Sequence, residues 1–217
     1  MNNIRQDLRY GARMLLKQPG FTLIAVFTLA MGIGATTAIF SVVNAVLLRP
    51  LPYREPERLL TVWQRNLNQR GAQVAHIELT PGNFLDLQKQ NQVFEEVAAF
   101  ASHDFNLTGG GEPERVTGWQ AAAALFPALG VTPQARRFFT ADDDRAGAAP
   151  VVVISHGFWQ RRFGGHANAV GQTLRLDERN VTVIGVLPSG FAFPNKGAEL
   201  WTPLAFSAED ANARAAF

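Results

Sequence analysis

FTLIAVFTLAMGIGATTAIFSVVNAVLL, residues 21–48, carries no charged side chain. A helix that spans a bilayer needs about 20 mostly apolar residues, and this run is longer. The alternative, a buried helix of a soluble domain, is usually shorter and shows a polar face. The stretch therefore reads as a transmembrane helix, with Pro19-Gly20 at one edge and Arg49-Pro50 at the other. It divides the chain into a short basic head and a long remainder.

The charges on either side orient it. Residues 1–48 hold Arg5, Arg9, Arg13 and Lys17 against Asp7 alone, whereas the rest of the chain is nearly balanced. The basic excess that raises the isoelectric point thus sits beside the membrane segment, and it gives no argument for nucleic acid as a partner. Positive-inside logic places the head in the cytoplasm and the remainder across the membrane. A secretory signal peptide also starts basic and turns apolar, but its hydrophobic core is only about 7–15 residues and ends at a small-residue cleavage site. Ala35 and Ala38 are the residues that could imitate such a site. The absence of cysteine rules out disulfides and is compatible with an oxidising compartment without requiring one.

The head itself has helical periodicity. Ile4, Leu8, Leu15 and Leu16 recur at helical spacing, and Arg5, Arg9, Arg13 and Lys17 step by four along another face. Such a helix is expected to lie in the membrane surface with its basic row toward anionic headgroups. Gln18-Pro19-Gly20 then turns the chain into the bilayer. Within the run, Ala30, Gly34 and Ala38 repeat every four residues, with Ser41 and Ala45 near the same face. Small residues at this spacing let another helix approach closely. Asn44 comes late, near the outer interface, and Arg49 and Tyr53 can anchor the exit.

Beyond residue 55 the texture becomes short and mixed. The pattern predicts a strand over 59–65 and a helix opened by Thr80 as N-cap with Pro81 at its first position. It predicts a second helical piece, or its run-on into a strand, over 94–100, and a turn over 106–111. A strand over 115–121 and a short helix over 122–129, ended by Gly130, follow. VVVIS at 151–155 is a β-branched run of the kind buried on both faces. A helix over 156–163, capped by Ser155 and stopped by Gly164-Gly165, comes next. Residues 173–176 and 181–186 read as a hairpin, and 199–204 as a last strand. The sum is an α+β fold carried by one membrane helix.

Catalytic and metal-binding chemistry is not expected. The four histidines form no HExxH, and no cysteine exists to join them around zinc. Ser155-His156 are adjacent in sequence without a nucleophile elbow. Asp142-Asp143-Asp144 lacks the alternate spacing of a calcium loop and reads as a solvated loop tip. Gly109-Gly110-Gly111 lacks the Lys-Ser/Thr of a phosphate loop, and no Walker motif is present. Arg136-Arg137 and Arg161-Arg162 read as surface or helix-terminal charges, and the four tryptophans as core or interface residues.

Six blocks, taken in order, carry a resemblance: residues 18–53, LTPGNFLDLQ at 79–88, and LFPALGVTPQARRFF at 125–139, then PVVVISHGFWQRRFGG at 150–165, GQTLRLDERNVTVIGVLPSGFAFP at 171–194 and ELWTPL at 199–204. Together they resemble the MacB-like permeases of ABC transporters, of the ADOP and FtsX-like type. One departure is Ala135, where the resemblance leads one to expect glycine before the arginine.

The resemblance implies a cytoplasmic amphipathic segment at 1–19, a transmembrane helix with a periplasmic stalk at 20–50, and a mixed α+β periplasmic core domain at 51–217. It implies an inner-membrane location and a separate cytoplasmic ABC ATPase that supplies the hydrolysis. It also implies homodimers or pairing with other permease helices, a periplasmic adaptor protein as a further partner, and no cofactor. Such permeases continue into an FtsX-like bundle of further membrane helices. The chain ends at Phe217 before any second hydrophobic run, so it is expected to be the N-terminal part, with the core domain incomplete. The competing expectations are a free-standing single-pass protein with a ligand- or protein-binding domain, and a tethered hydrolase.

Overall fold

The computed structural model describes residues 2–44, 53–64 and 78–213, without the side chains of residues 2–5, 7, 8 and 12. The chain divides into two compact units, Met1–Leu51 and Pro52–Phe217.

The first unit is two helices. α1 spans Asn2–Lys17 and α2 spans Pro19–Val43. Gln18 separates them with a non-helical backbone, φ −126° and ψ 71°, and Pro19 takes the first turn of α2, where its missing N–H costs nothing. The Thr22 hydroxyl ties the joint by donating to the carbonyls of Leu15 (2.7 Å) and Gln18 (3.0 Å). No residue of α2 is buried within the protein. Ala45, Arg49, Pro50 and Pro52 lie outside the described residues.

The second unit is an α+β fold built on seven strands: β1 (Phe100–Thr108), β2 (Glu114–Ala121), β3 (Ala135–Arg136), β4 (Val151–Ile154), β5 (Thr173–Leu176), β6 (Arg179–Val186) and β7 (Leu200–Pro203). Their order is β3-β6-β4-β7-β2-β1-β5, and β5 also pairs with β6, so the sheet closes on itself. Pairing is mixed: β4 runs parallel to β6 and β2 to β7, and the remaining pairs are antiparallel. Among the described residues three α-helices accompany the sheet: α3 (Pro81–Gln90), α4 (Leu125–Ala128) and α5 (His156–Phe163).

β4 shows why the sheet is covered on both sides. All four of its residues are buried, and alternation sends them to two different cores. Val152 and Ile154 join Phe105, Leu107, Val183, Leu200 and, from α5, Phe158. Val151 and Val153 join Leu125, Phe126, Phe139 and Trp201. α5 is set by its ends. The Ser155 hydroxyl accepts from the Phe158 N–H at 3.0 Å, and Gly164 ends the helix in the left-handed region at φ 59°.

Several expectations need correction. Residues 59–63 form no strand, and only Gln64 makes an isolated bridge; Arg65 lies outside the described residues. Residues 94–99 are neither helix nor strand, and β1 starts at Phe100. β1 runs on through Asn106–Thr108, so the turn begins only at Gly109. The short helix covers Leu125–Ala128 rather than 122–129. Ala135, the departure from the family pattern, pairs with Val186 in β3, and the left-handed residue is the next one, Arg136, at φ 61°.

Candidate functional site

α2 is long and apolar enough to cross a membrane, with a mean hydropathy of 2.1 over its 18-residue window. Ala30, Gly34 and Ala38 all stand exposed on it. A Cβ placed on Gly34 would meet nothing within 4 Å, so no packing within the chain requires a glycine there. On α1, Arg9, Arg13 and Lys17 are exposed, and so are Tyr10, Met14, Leu15 and Leu16. The side chain of Arg5 lies outside those described.

In the second unit a cleft of about 230 Å³ opens at the N-terminus of α5. Ser155, His156, Lys196 and Glu199 contribute its polar groups, and Leu187, Phe191 and Ala198 its apolar wall. The Ser155 hydroxyl serves as the helix cap, accepting from the Phe158 N–H. Glu199 is occupied as well, bonded to Arg161, whose Nη2 also reaches Glu114 at 2.8 Å. Arg162 donates to the Gly110 carbonyl at 3.1 Å. Both arginines of α5 therefore tie its C-terminal turn to neighbouring elements.

The three consecutive aspartates are not a solvated tip as a set. Asp142 is exposed and pairs with Arg145 at 2.8 Å. Asp143 accepts from both Arg137 Nη groups and from the Thr140 N–H and hydroxyl. Asp144 bridges two distant backbone N–H groups, Ala123 at 2.9 Å and Ala205 at 2.8 Å. Among the described residues no group of three or more His, Cys, Asp or Glu is placed to hold a metal.

The Arg137 guanidinium holds the Asp143 carboxyl down to about 2, against the partial opposition of burial and with help from Thr140. A carboxylate whose pKa falls on folding stabilises the fold above its unfolded value and loses that contribution as the pH drops through the folded one. The window is therefore about pH 4 down to 2, and the contribution is about 2 kcal/mol before solvent screening at the half-exposed Arg137 trims it. Asp143→Asn is expected to lower stability at neutral pH and to flatten the acid limb of a denaturation profile across that window. An unchanged profile would show that Asp143 carries no such coupling.

A second carboxylate closes the sheet. Asp177 sits in the two-residue β5–β6 turn, where it and Glu178 take φ 44° and 66°. Its Oδ1 accepts from the Asn106 N–H (2.9 Å) and side-chain amide (3.0 Å), and Oδ2 contacts His103 Nε2 at 3.1 Å. Burial pushes this carboxyl up, but the Asn106 and His103 hydrogen bonds outweigh it and the net direction is down. These bonds reinforce a β1–β5 ladder of only two residue pairs.

Among described residues of the second unit, every exposed large hydrophobic side chain falls between residues 53 and 100: Leu60, Val62, Trp63, Val93 and Phe100. Trp201 is fully in the core, whereas Trp63 is 49% exposed.

An apolar helix long enough to span a membrane, followed in the chain by a closed mixed sheet, is the architecture of a membrane-anchored α+β protein. The sequence profile of the MacB-like periplasmic core domain matches residues 22–215. The chain belongs to that family, the MacB-like permeases. No curated protein matches it. Among solved structures, the periplasmic region of MacB from Actinobacillus actinomycetemcomitans is 22% identical, with a TM-score of 0.50 over 59% of this chain and 56% of that one. The extracellular domain of the noncanonic ABC-type transporter YknZ from Gram-positive bacteria is 20% identical, TM-score 0.46, over 58% and 62%. A domain of a permease protein from Porphyromonas gingivalis is 19% identical, TM-score 0.45, over 63% of each. The chain thus spans less than two thirds of each of these domains. At this identity the MacB likeness establishes the α+β fold.

Proposed function

We propose that the chain acts as the membrane-anchored permease component of a MacB-like ABC transporter. The observation that carries this reading is the family match, which begins inside the apolar helix at residue 22 and runs on to 215, so helix and domain belong to one family unit. In this reading residues 1–19 lie on the cytoplasmic face of the inner membrane, 20–50 cross it, and 51–217 form the periplasmic core domain. Arg5, Arg9, Arg13 and Lys17 hold the head to anionic lipid. A separate cytoplasmic ATPase drives the motion, α2 passes it to the periplasmic side, and substrate is exported or moved outside the membrane. A periplasmic adaptor protein is the further partner in this reading, with the exposed apolar side chains between residues 53 and 100 available for contact.

Purified from its own membranes in mild detergent, the chain should bring an ABC ATPase with it. Recovery without one would favour the free-standing single-pass protein. A reporter fused at Phe217 should be active only outside the cytoplasm, and cytoplasmic activity would reverse the topology. The packing face of α2, Ala30, Gly34 and Ala38, is proposed to receive a partner helix. Gly34→Leu inserts a bulky side chain where a Cβ now meets open space and should weaken helix association about tenfold. Unchanged association in a bilayer energy-transfer assay would remove this face from the mechanism.

A further inference from the structure

Two strands leave the sheet side by side. β2 ends at Ala121 and β7 at Pro203, and the Leu204 N–H donates to the Ala121 carbonyl at 3.2 Å. Just beyond, both chains are gripped by one carboxylate. Asp144 accepts from the Ala123 N–H on Oδ2 at 2.9 Å and from the Ala205 N–H on Oδ1 at 2.8 Å. Its own loop is fixed, since Arg137 and Thr140 hold Asp143 and the Asp144 N–H donates to the Thr140 carbonyl at 3.2 Å. Ala205 is strained, with φ 44°, the left-handed region that an L side chain rarely enters. Such strain persists only where the surroundings over-determine it. What hangs beyond Ala205 is small. Phe206 rests on Phe84 with ring centroids 6.0 Å apart, the 3-10 turn Asp210–Asn212 packs on α3, and the Ala213 carbonyl accepts from the Gly82 N–H at 3.2 Å. Phe84 is buried yet belongs to neither of the two cores that cover the sheet. Residues 206–213 and α3 thus form a lobe with its own packing.

We propose that Ala205 is a hinge and Asp144 its latch, so that α3 and residues 206–213 swing on the sheet when the carboxylate lets go. Hinges are a few element-terminal residues that absorb a large change in φ and ψ. Ala205 stands two residues past the end of β7, and its φ has unstrained negative values to relax to. The bond to Asp144 pins the peptide plane ahead of it. Once that bond breaks, the plane can turn and the torsions on both sides of the joint are freed together. The other oxygen of the same carboxylate holds Ala123 at the exit of β2, so the latch is fastened to the sheet. An ionised acceptor grips a backbone N–H more strongly than a neutral one. The device lies wholly in the second unit and does not rest on the transport reading.

Amide hydrogen exchange of the full chain in mild detergent, read by mass spectrometry, tests the latch, because local opening shows as exchange confined to one segment. Asp144→Asn turns an amide NH2 toward one of the two backbone donors. It should speed exchange in α3 and residues 204–213 about tenfold, as loss of a hydrogen bond to a charged group does, and leave β4 and β6 unchanged. Asp142→Asn, whose carboxylate is exposed and pairs with Arg145, should change neither region. Ala205→Gly accepts a positive φ without strain, so it should favour the latched state and slow exchange in α3 and 204–213. A rise in Asp144→Asn that extends equally over β4 and β6 would make Asp144 an ordinary support of the whole fold and overturn the latch, as would no rise at all. Unchanged or faster exchange in Ala205→Gly would overturn Ala205 as the hinge, and that variant decides the matter even if Asp144→Asn fails to fold.

Discussion

Gly185→Ala is expected to destabilise the α+β unit by about 3 kcal/mol or more, at the upper end of overpacking costs. The glycine is not there for its torsion angles, since its φ lies outside the left-handed region. It is there for space. A Cβ on Gly185 would stand 2.1 Å from the carbonyl oxygen of Arg137 and 3.4 Å from that of Ala135. Both are backbone atoms on a segment paired to β6 through Ala135↔Val186 and Arg136↔Gly185, so no side chain can swing aside. The parallel β4–β6 ladder also slips its register here, between Val152↔Val183 and Val153↔Gly185. Relief would have to part β3 from β6 or shift β4, whose residues are all buried. Gly157→Ala is the control, because its nearest neighbour is 3.9 Å away and it sits in the first turn of α5. That change should be neutral or mildly stabilising, by up to about 1 kcal/mol. Urea midpoints of the two variants decide the matter, and equal midpoints would mean that β3 yields easily.

The elements legible in the sequence are those whose signals are local. The apolar helix, the Thr80 cap of α3, the Ser155 and Gly164 ends of α5 and the β5–β6 hairpin each depend on residues within a few positions of one another. The errors share the opposite property. LLTVWQR at 59–65 has high β propensity, but propensity measures fit to a pleated, half-buried surface, and residues 59–63 have no ladder to join. β1 is hard to read in the sequence because its polar residues His103, Asp104 and Asn106 are exposed and break the apolar alternation. Asn106 stays in the strand because Asp177, 71 positions away, accepts from its backbone and side chain. Asp144 is the plainest case. Its partners are the N–H groups of Ala123 and Ala205, 21 and 61 positions away, and backbone donors leave no mark in a sequence.

Trp201→Ala is expected to cost about 3–5 kcal/mol, as truncation of a large buried aromatic does. That is a large share of the 5–15 kcal/mol typical of a domain. Trp201 lies on β7 between β4 and β2, in register with Val153 on one side and Trp119 on the other. It is 1% exposed and packs edge-on against Phe191, with ring centroids 5.5 Å apart. Its neighbours are tied into strands on both sides, so the space left by alanine collapses poorly. The indole N–H adds a second effect, because it is buried and has no hydrogen-bond partner among the described residues. Such a donor costs about 1–3 kcal/mol. Trp201→Phe removes that penalty and keeps much of the aromatic volume, so it should cost less than half as much as alanine. Unfolding of the two variants side by side separates the effects. A phenylalanine variant as unstable as the alanine one would mean that the indole N–H is satisfied in solution, and that the whole value of Trp201 lies beyond its ring volume.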